Sequence, residues 1–272
     1  MDFLSSTDVR CSSSRLRCRK ARAFTLVELL AVIAIIGVLI AILIPVLGSI
    51  RESARATEDG SRLRACYGAL SVFAAEHKGR MKSTAQWVTP STGAWQADSG
   101  GGGVFMTWSN WLAGQDSSNT GTMVRGLTVY ATDWNIFISP SVLPASYRPN
   151  GASPVPIYRT FGMFLGGTVA GFSSADWIQG GEHILSLVPM PARIPLLADT
   201  VTNDQGGVIS GWGYYGFRPA GLYENSGIHL RYDDRANVVF YDGHTARLDR
   251  RQLADLGFTQ AVDKDLKTVS LP

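Results

Sequence analysis

Cysteine is scarce in this chain of 272 residues, which holds only Cys11, Cys18 and Cys66. Cys11 and Cys18 lie in a basic N-terminal segment, and loss of that segment would leave Cys66 alone. The spacing of the three matches no zinc-binding pattern, and a single remaining thiol excludes an internal disulfide. We therefore interpret Cys66 as a small packing residue of a helix rather than as a nucleophile.

Charge is also sparse, at 17% of residues, and it is unevenly placed. The first 23 residues contain six lysines and arginines but only two acidic residues, Asp2 and Asp8. Without that segment the chain has 19 basic and 20 acidic side chains, a net charge of −1. No basic stripe remains in the body, so the sequence predicts no nucleic-acid partner.

Catalytic motifs are missing as well, since the sequence contains no G-x-S-x-G, H-E-x-x-H or C-x-x-C. The segment Gly211–Gly216 fits G-x-G-x-x-G, but no helix is predicted after it, and we interpret it as a flexible aromatic loop. His77 and His183 lack partners at a catalytic spacing. These absences predict a protein that is not an enzyme.

One long uncharged run is present, from Leu29 to Leu47, and its 19 residues are enough to cross a bilayer as a helix. The basic residues before it predict a cytoplasmic N-terminus and a body outside the membrane. Three interpretations compete: a secretory signal peptide cut after the run, a plain signal anchor, and a span whose basic leader is removed first. The length of the run and the lack of an A-x-A site disfavour the first, and the second leaves Glu28 unexplained.

The third interpretation rests on the segment RAFTLVELLAVIAIIG, which begins at Arg22. It resembles the class III signal of type IV pilins and type II secretion pseudopilins. That resemblance implies that a prepilin peptidase cuts between Ala23 and Phe24 and N-methylates Phe24. Glu28 then stands fifth in the mature chain, and Pro45 stands where pilins often carry a helix-bending proline. The chain departs from the family pattern at Ala23, where glycine is usual.

The same resemblance implies partners and a location. The partners are other pilin or pseudopilin subunits, the peptidase, an assembly platform protein and an assembly ATPase, at the inner membrane. The head is expected in the periplasm and then in a pilus or pseudopilus. In the fibre, Glu28 would neutralise the amine of a neighbour's Phe24 and fix the axial register of the subunits. The alternative is that Glu28 only extends to the membrane interface.

Four segments are predicted: a cleaved leader (1–23), a transmembrane and assembly helix (24–47), its amphipathic continuation (48–80) and a globular head (81–272). Two functions are compatible with this order. The first is a structural subunit of a pilus or pseudopilus, minor or specialised. The second is a membrane-tethered binding or enzymatic domain that uses the class III leader as an anchor.

The predicted helix continues beyond the membrane, to about Lys78. Apolar residues after Pro45 recur three or four positions apart, with Gly60 as a weak point and Gly79 as a stop. Such a helix would be about 80 Å long. The fold class expected is α+β, with a pilin-like long N-terminal helix packed on an antiparallel sheet and loop-rich insertions.

Tryptophan is frequent in the loop-rich part of the head. These residues either build the core or form a binding surface for sugars or partner subunits. They are Trp87, Trp95, Trp108, Trp111 and Trp134.

A β-hairpin is predicted around Asp242-Gly243, a preferred pair for a two-residue type I′ turn. The strands would be Asn237–Tyr241 and His244–Leu248, with Val239 opposite Ala246. This register puts Tyr241 opposite His244 and Phe240 near Thr245.

Two further elements are predicted nearby. Arg193–Val201 reads as a buried strand that ends in a polar turn. Asp249 is expected to cap a short helix that Gly257 closes.

The segment IHLRYDDRANVVFYDGHTARL carries a second resemblance, to the processing-associated domain that ends many planctomycete-type pilin-like proteins. That motif reads histidine, nine residues, then Asp-Gly. Twelve residues separate His229 from Asp242 here, and the three extra ones, within LRYDDR, are expected to lengthen the turn before the strand. The matching positions are His229, Asn237, Phe240, Asp242, Gly243 and His244.

The resemblance to pseudopilins suggests calcium as a cofactor, because some members of that family bind it through a C-terminal loop. Calcium requires six to eight oxygen ligands, and Asp233, Asp234, Asn237 and Asp242 offer some of them. Their spacing matches no EF-hand loop. The alternative is that Asp242 only forms a turn, the neighbouring histidines bond locally and the acids are solvated, so that the protein has no cofactor.

Overall fold

The computed structural model describes residues 26–82, 86–88, 95–96, 104–114, 128–139, 160–202, 213–214 and 216–272. The predicted leader (1–23), the cut site at Ala23 and Phe24, and much of the predicted aromatic loop lie outside the described residues. The chain divides into two units, Met1–Ser49 and Ile50–Pro272.

The first element is helix α1, which runs over 51 residues from Leu26 to Glu76. The predicted stop is confirmed, because Gly79 has a φ of +75° and its N–H donates to the carbonyl of Ala74 at 2.8 Å. The expected weak point at Gly60 does not interrupt the helix. Helical backbone also continues through Pro45, where the expected kink stays a prediction.

The part of α1 in the first unit is apolar and exposed. Leu26, Ile35 and Ile42 expose 78%, 61% and 64% of their surface. Among the described residues, α1 is the one helix long and apolar enough to cross a membrane.

The part of α1 in the second unit carries an apolar stripe that enters the core of the head. Leu63, Cys66, Leu70 and Phe73 lie three or four positions apart and are all buried. Cys66 is fully buried, and its thiol donates to the carbonyl of Ile136 at 3.1 Å. The complete burial of Cys66 within the hydrophobic core confirms the interpretation as a packing residue, and this burial also raises the pKa of its thiol.

Short strands make up most of the head. In the described residues they are β1 (Arg80–Lys82), β2 (Gln86–Val88), β3 (Trp95–Gln96), β4 (Val104–Met106), β5 (Gly162–Phe164), β6 (Thr168–Val169), β7 (Phe172–Ser173), β8 (Ile178–Gln179), β9 (Glu182–Ile184), β10 (Pro195–Ala198), β11 (Thr200–Thr202), β12 (Gly216–Phe217), β13 (Ser226–Leu230), β14 (Arg235–Phe240), β15 (Thr245–Asp249), β16 (Gln260–Asp263) and β17 (Thr268–Ser270).

The remaining helices are short. They are α2 (Trp108–Ala113), α3 (Arg250–Asp255) and the 3₁₀ turns Trp134–Phe137, Ser174–Asp176 and Leu185–Leu187. The cap predicted for α3 is confirmed, because the Asp249 side chain accepts the N–H of Gln252 at 2.9 Å. Gly257, with a φ of +92°, follows the helix as expected.

Two sheets form the centre of the head and confirm the α+β fold. One has the strand order β12-β5-β10-β14-β15, and the other has the order β11-β13-β16-β17. Each is mixed rather than purely antiparallel, since β12 pairs parallel with β5 and β13 pairs parallel with β16. The predicted buried strand supplies both β10 and β11, and the two strands are separated by the single residue Asp199.

Aromatic side chains fill much of the core. Trp108 and Trp111 are 1% and 5% exposed, so the core interpretation is confirmed for these two. Trp108 packs edge-on against Phe137, with ring centroids 5.7 Å apart. The side chains of the other three tryptophans named from the sequence lie outside the described part of the head.

Candidate functional site

Glu28 lies in the first turn of α1 and is exposed. A carboxylate at this end of a helix interacts favourably with the helix dipole. The neighbouring Leu26, Val27, Leu29 and Leu30 are more than half exposed, so the acid stands in an apolar surface. The proposed pairing with the Phe24 amine stays a prediction.

The C-terminal hairpin forms, but its turn differs from the predicted one. Val239 pairs with Thr245 rather than with Ala246, because the loop contains three residues rather than two. The N–H of Gly243 donates to the carbonyl of Phe240 at 2.9 Å, and the N–H of Phe240 donates to the carbonyl of His244 at 3.0 Å. Gly243 has a φ of +89°, whereas Asp242 is not left-handed as a type I′ turn requires. The predicted turn type and register were therefore wrong.

A two-residue type I′ turn does occur, nine residues earlier. Asp233 and Asp234 have φ values of 52° and 56°, and Tyr232 and Arg235 exchange backbone hydrogen bonds of 3.0 and 3.1 Å. The extra residues in LRYDDR therefore make a tight turn between β13 and β14. The expectation of a lengthened turn was wrong, because aspartate tolerates the left-handed conformation that glycine usually supplies.

The structure does not gather the four calcium candidates into one site. Asp234 makes a two-pronged ion pair with Arg250, at 2.6 and 2.8 Å. The backbone N–H of Asp233 donates to Glu52 of α1 at 3.0 Å. Within the described residues, no group of three or more histidine, cysteine, aspartate or glutamate side chains is arranged to hold a metal ion.

The other two candidates also have local partners. The side-chain amide of Asn237 donates to the carbonyl of Ala56 in α1 at 3.0 Å. One oxygen of Asp242 accepts the backbone N–H of His244 at 3.1 Å and lies 2.6 Å from its ring Nδ1. Partial burial acts to raise the pKa of Asp242, but the hydrogen bonds from His244 outweigh burial and lower it.

The tip of the hairpin packs directly on α1. A methyl group added at Gly243 would lie 2.4 Å from a ring carbon of Tyr67, so glycine is required there by contact as well as by φ. The hydroxyl of Tyr67 donates to the carbonyl of Tyr241 at 3.0 Å. On the opposite strand, His244 stacks on Phe240 with ring centroids 4.2 Å apart. The Asp-Gly pair of the motif thus positions a turn against the helix.

The base of the hairpin meets α1 through a buried polar cluster built on Asp59, which is completely buried. One carboxylate oxygen of Asp59 accepts from the Ser139 hydroxyl at 2.7 Å, from Arg231 at 3.3 Å and from the Tyr232 hydroxyl. Burial raises the pKa of Asp59, and the guanidinium of Arg231 is the largest opposing influence.

A second completely buried acid, Asp199, lies at the junction of the two central sheets. Its backbone N–H donates to Asn237 of β14 at 3.0 Å, and its carbonyl accepts from His229 of β13 at 2.9 Å. One side-chain oxygen accepts the backbone N–H of Asn237 at 3.1 Å. Burial, and then the charge of Asp59, raise the pKa of Asp199 to about 7.

His229 completes this cluster in the neutral form. Burial, and then the nearby guanidinium of Arg231, lower its pKa well below the ordinary value. Its Nδ1 accepts from Nε of Arg231 at 2.9 Å. Two residues of the C-terminal motif, His229 and Asn237, therefore flank Asp199, whereas Asp242 and His244 lie at the exposed hairpin tip.

The sequence reasoning missed the acids and the arginine of this cluster. One signal for Asp59 was available, because it falls on the helical apolar stripe between Ala56 and Leu63, where a solvated acid is not expected. Asp199 offered a weaker signal, at the end of a buried strand. No local pattern connects either acid with Ser139 or Arg231, which are far away in the chain.

His183, for which no catalytic partner was predicted, belongs to a separate buried network. Its Nδ1 meets the hydroxyl of Tyr241, which also accepts from the indole N–H of Trp177 at 3.3 Å. Complete burial lowers the pKa of His183 to about 3. The imidazole is therefore neutral, and it supports the strand that leads into the Asp242 turn.

Comparison with known proteins gives one match. A family model described as the prokaryotic N-terminal methylation motif matches residues 18–44, which include Ala23, Phe24 and Glu28. The comparisons with curated proteins and with solved structures each found no match. The chain thus carries a class III prepilin-type signal, followed by an N-terminal apolar helix that fits a signal-anchored or membrane-anchored pilin-type protein.

Proposed function

We propose that the protein is a structural subunit, minor or specialised, of a type IV pilus or a type II secretion pseudopilus. The observation that carries the proposal is the methylation motif at residues 18–44, which covers the start of α1. The helix supports it, because α1 is apolar and exposed in its first part and enters the core of the head in its second. The protein acts by assembly and not as an enzyme.

Processing prepares the N-terminus for assembly. A prepilin peptidase cuts between Ala23 and Phe24 and methylates the new amine, which keeps its positive charge. In the fibre that amine pairs with Glu28 of a neighbouring subunit. Each charge alone is costly in an apolar environment, whereas the pair is tolerated at one axial register only.

Assembly then moves the subunit out of the inner membrane. The basic leader keeps the N-terminus in the cytoplasm and places the head in the periplasm. An assembly ATPase and a platform protein extract the subunit into the fibre, where its partners are other pilin-like subunits.

The C-terminal motif has a structural role in this proposal. Asn237 and Gly243 contact α1 directly, and His229 forms hydrogen bonds with Asp199 and with Arg231, which in turn contacts Asp59 of α1. We call this surface, formed by His229, Arg231, Asn237 and Gly243, the helix seat. Its contacts hold the head to α1 and leave Glu28 available for assembly.

Mass spectrometry of the N-terminus tests the proposal. The protein is isolated from cells that contain a prepilin peptidase and, as a control, from matched cells that lack it. We expect a chain that begins with N-methylated Phe24 in the first sample and an intact leader in the second. An intact Met1 in both samples, or a cut beyond Leu47, would contradict the proposal and favour a tethered binding or enzymatic domain.

A further inference from the structure

The buried cluster under α1 contains two acids and one cation. Asp59 and Asp199 are both completely buried, and Arg231 is the guanidinium that contacts Asp59. One oxygen of each carboxyl group, Oδ1, is buried and has no hydrogen-bond partner among the described residues. A buried carboxylate without a matching cation is costly, so two negative charges are not both balanced here.

The groups that face Asp199 come from every element packed around it. Asp59 faces it from α1, Arg231 and Tyr232 face it from the segment between β13 and β14, and Asn237 faces it from β14. Burial raises the pKa of Tyr232, so that side chain is neutral and supplies no positive charge. His229, whose backbone donates to Asp199, is also neutral. Arg231 is therefore the positive charge that acts on both acids, whereas Arg62 of α1, which is paired with Glu58 at 2.7 Å, acts on Asp59.

We propose that Asp199 holds a proton in the folded head and that this proton couples the seating of α1 to pH. With the proton in place, Asp59 and Arg231 form a balanced ion pair beside a neutral acid. Removal of the proton puts a second negative charge next to Asp59, which is fixed in α1. The repulsion acts directly between the helix and the sheet junction, so α1 is held less firmly.

The sign of the effect follows from the two states of Asp199. The folded pKa of about 7 lies above the ordinary value of 3.8, so the folded chain keeps the proton that the unfolded chain releases. This contribution to stability is complete below the ordinary pKa and is lost as the pH rises through about 7. Between those two pKa values, each unit of rise in pH lowers the folding equilibrium constant by up to about tenfold.

Two buried histidines act in the opposite direction. His183 and His229 have lowered pKa values, so they destabilise the fold as the pH falls below about 6.5. The pH profile of the natural protein therefore sums opposing contributions. A difference between two chains that share both histidines isolates the contribution of Asp199.

The test compares the full-length protein in detergent micelles with Asp199→Asn, which mimics the protonated acid. Asp265→Asn is the matched control, because this exposed acid is paired with Lys264, which lowers its pKa and keeps it ionised throughout the test range. Denaturant unfolding is measured between about pH 5 and pH 8. We expect the ratio of the folding equilibrium constant of Asp199→Asn to that of the natural protein to rise with pH, by up to about tenfold per pH unit. This ratio should become constant above pH 7. The difference in folding equilibrium constant between Asp265→Asn and the natural protein should not change with pH.

A pH-independent difference between Asp199→Asn and the natural protein would overturn the proposal. Infrared titration of the natural protein gives an answer even if the variant does not fold. A protonated, buried carboxylic acid should give one carbonyl stretching band at pH 5, which disappears with a midpoint near pH 7. Absence of that band at pH 5 would also overturn the proposal.

Discussion

The two parts of α1 share one backbone conformation but differ in what their side chains contact. From Leu26 to Ile44 the large apolar residues are exposed, with Ile33 at 59%. From Ile50 to Glu76 the apolar stripe is buried, and Leu63 is completely covered. The first part is suited to lipid or to neighbouring subunits, and the second is suited to its own head.

This difference shows that the length of the helix does not determine what each part of it packs against. The helical backbone of α1 continues through 51 residues, across a part whose apolar side chains are exposed and a part whose apolar stripe is buried. The second part packs into the head through its buried apolar stripe, which also includes one acid, Asp59. Substitutions that affect one part and not the other test this division.

The largest effect is expected from Glu28→Ala in the first part. An unpaired charge in an apolar environment costs about 3–5 kcal/mol, so the amine of a neighbouring subunit would be left unbalanced. Incorporation into fibres should fall by about 100-fold or more. Immunoblots of sheared fibres and of membranes give the measurement.

The matched control for Glu28→Ala is Glu52→Gln, which removes an exposed charge from the second part of the same helix. It should leave incorporation unchanged. Normal incorporation of Glu28→Ala would show that this acid only extends to the membrane interface.

Gly243→Ala should disturb the second part and spare the first. The new methyl group would meet the Tyr67 ring at 2.4 Å in a left-handed backbone with a φ of +89°. Backbone strain and the steric clash with the Tyr67 ring should together lower the free energy of unfolding by about 2–4 kcal/mol.

Gly171→Ala is the control for Gly243→Ala, since Gly171 has a φ of +85° and no atom lies within 4 Å of the added carbon. This substitution should lower the free energy of unfolding by about 1–2 kcal/mol, from backbone strain alone. Denaturant titration of both variants checks the comparison, and equal losses would show that the contact with Tyr67 contributes nothing.

Asn237→Ala removes the amide that donates to Ala56 at 3.0 Å. Loss of a buried hydrogen bond should lower the free energy of unfolding by about 1–3 kcal/mol. Asn237→Asp should lower the free energy of unfolding further, because it adds an acid beside Asp59 and Asp199. The two variants are compared by denaturant unfolding, and a smaller loss in Asn237→Asp would contradict the charge balance described for the cluster.

The smallest effect is expected from Glu52→Ala. Its carboxylate accepts the N–H of Asp233 at 3.0 Å on an exposed surface, where a net hydrogen bond contributes about 0.5–1 kcal/mol. Glu52→Gln retains an acceptor and should be close to neutral. Thermal unfolding detects the difference, and a loss as large as that of Asn237→Ala would show that the turn at Asp233 is essential to the helix seat.

The sequence predicted the parts of the fold that depend on local pattern. The apolar run and the stop at Gly79 located α1, and Asp249 and Gly257 marked the ends of α3. The hairpin was recognised, but its register was off by one residue because Asp-Gly serves a three-residue loop as well as a two-residue turn. A turn was expected within LRYDDR, but the tight two-residue form at Asp233-Asp234 was not, because it puts two aspartates in the left-handed conformation that glycine usually supplies.

Local sequence patterns could not predict the buried cluster. Asp59, Ser139, Asp199 and Arg231 come from four separate parts of the chain and meet only after the sheets form. The motif at His229 was noticed, but its role depends on Asp199, to which no sequence spacing points. Long-range polar contacts are set by tertiary structure, and periodicity carries no information about them.

The contact between Tyr67 and Tyr241 has a consequence for the order of events during synthesis, since 174 positions separate the two residues. At ribosomal rates of about 5–20 residues per second, α1 emerges roughly 10–35 s before the hairpin that it packs against. Its stripe must stay soluble, or be held by a chaperone, for that interval. A nascent chain interrupted before Ser226 lacks β13–β17, and it should be a preferred substrate for proteases.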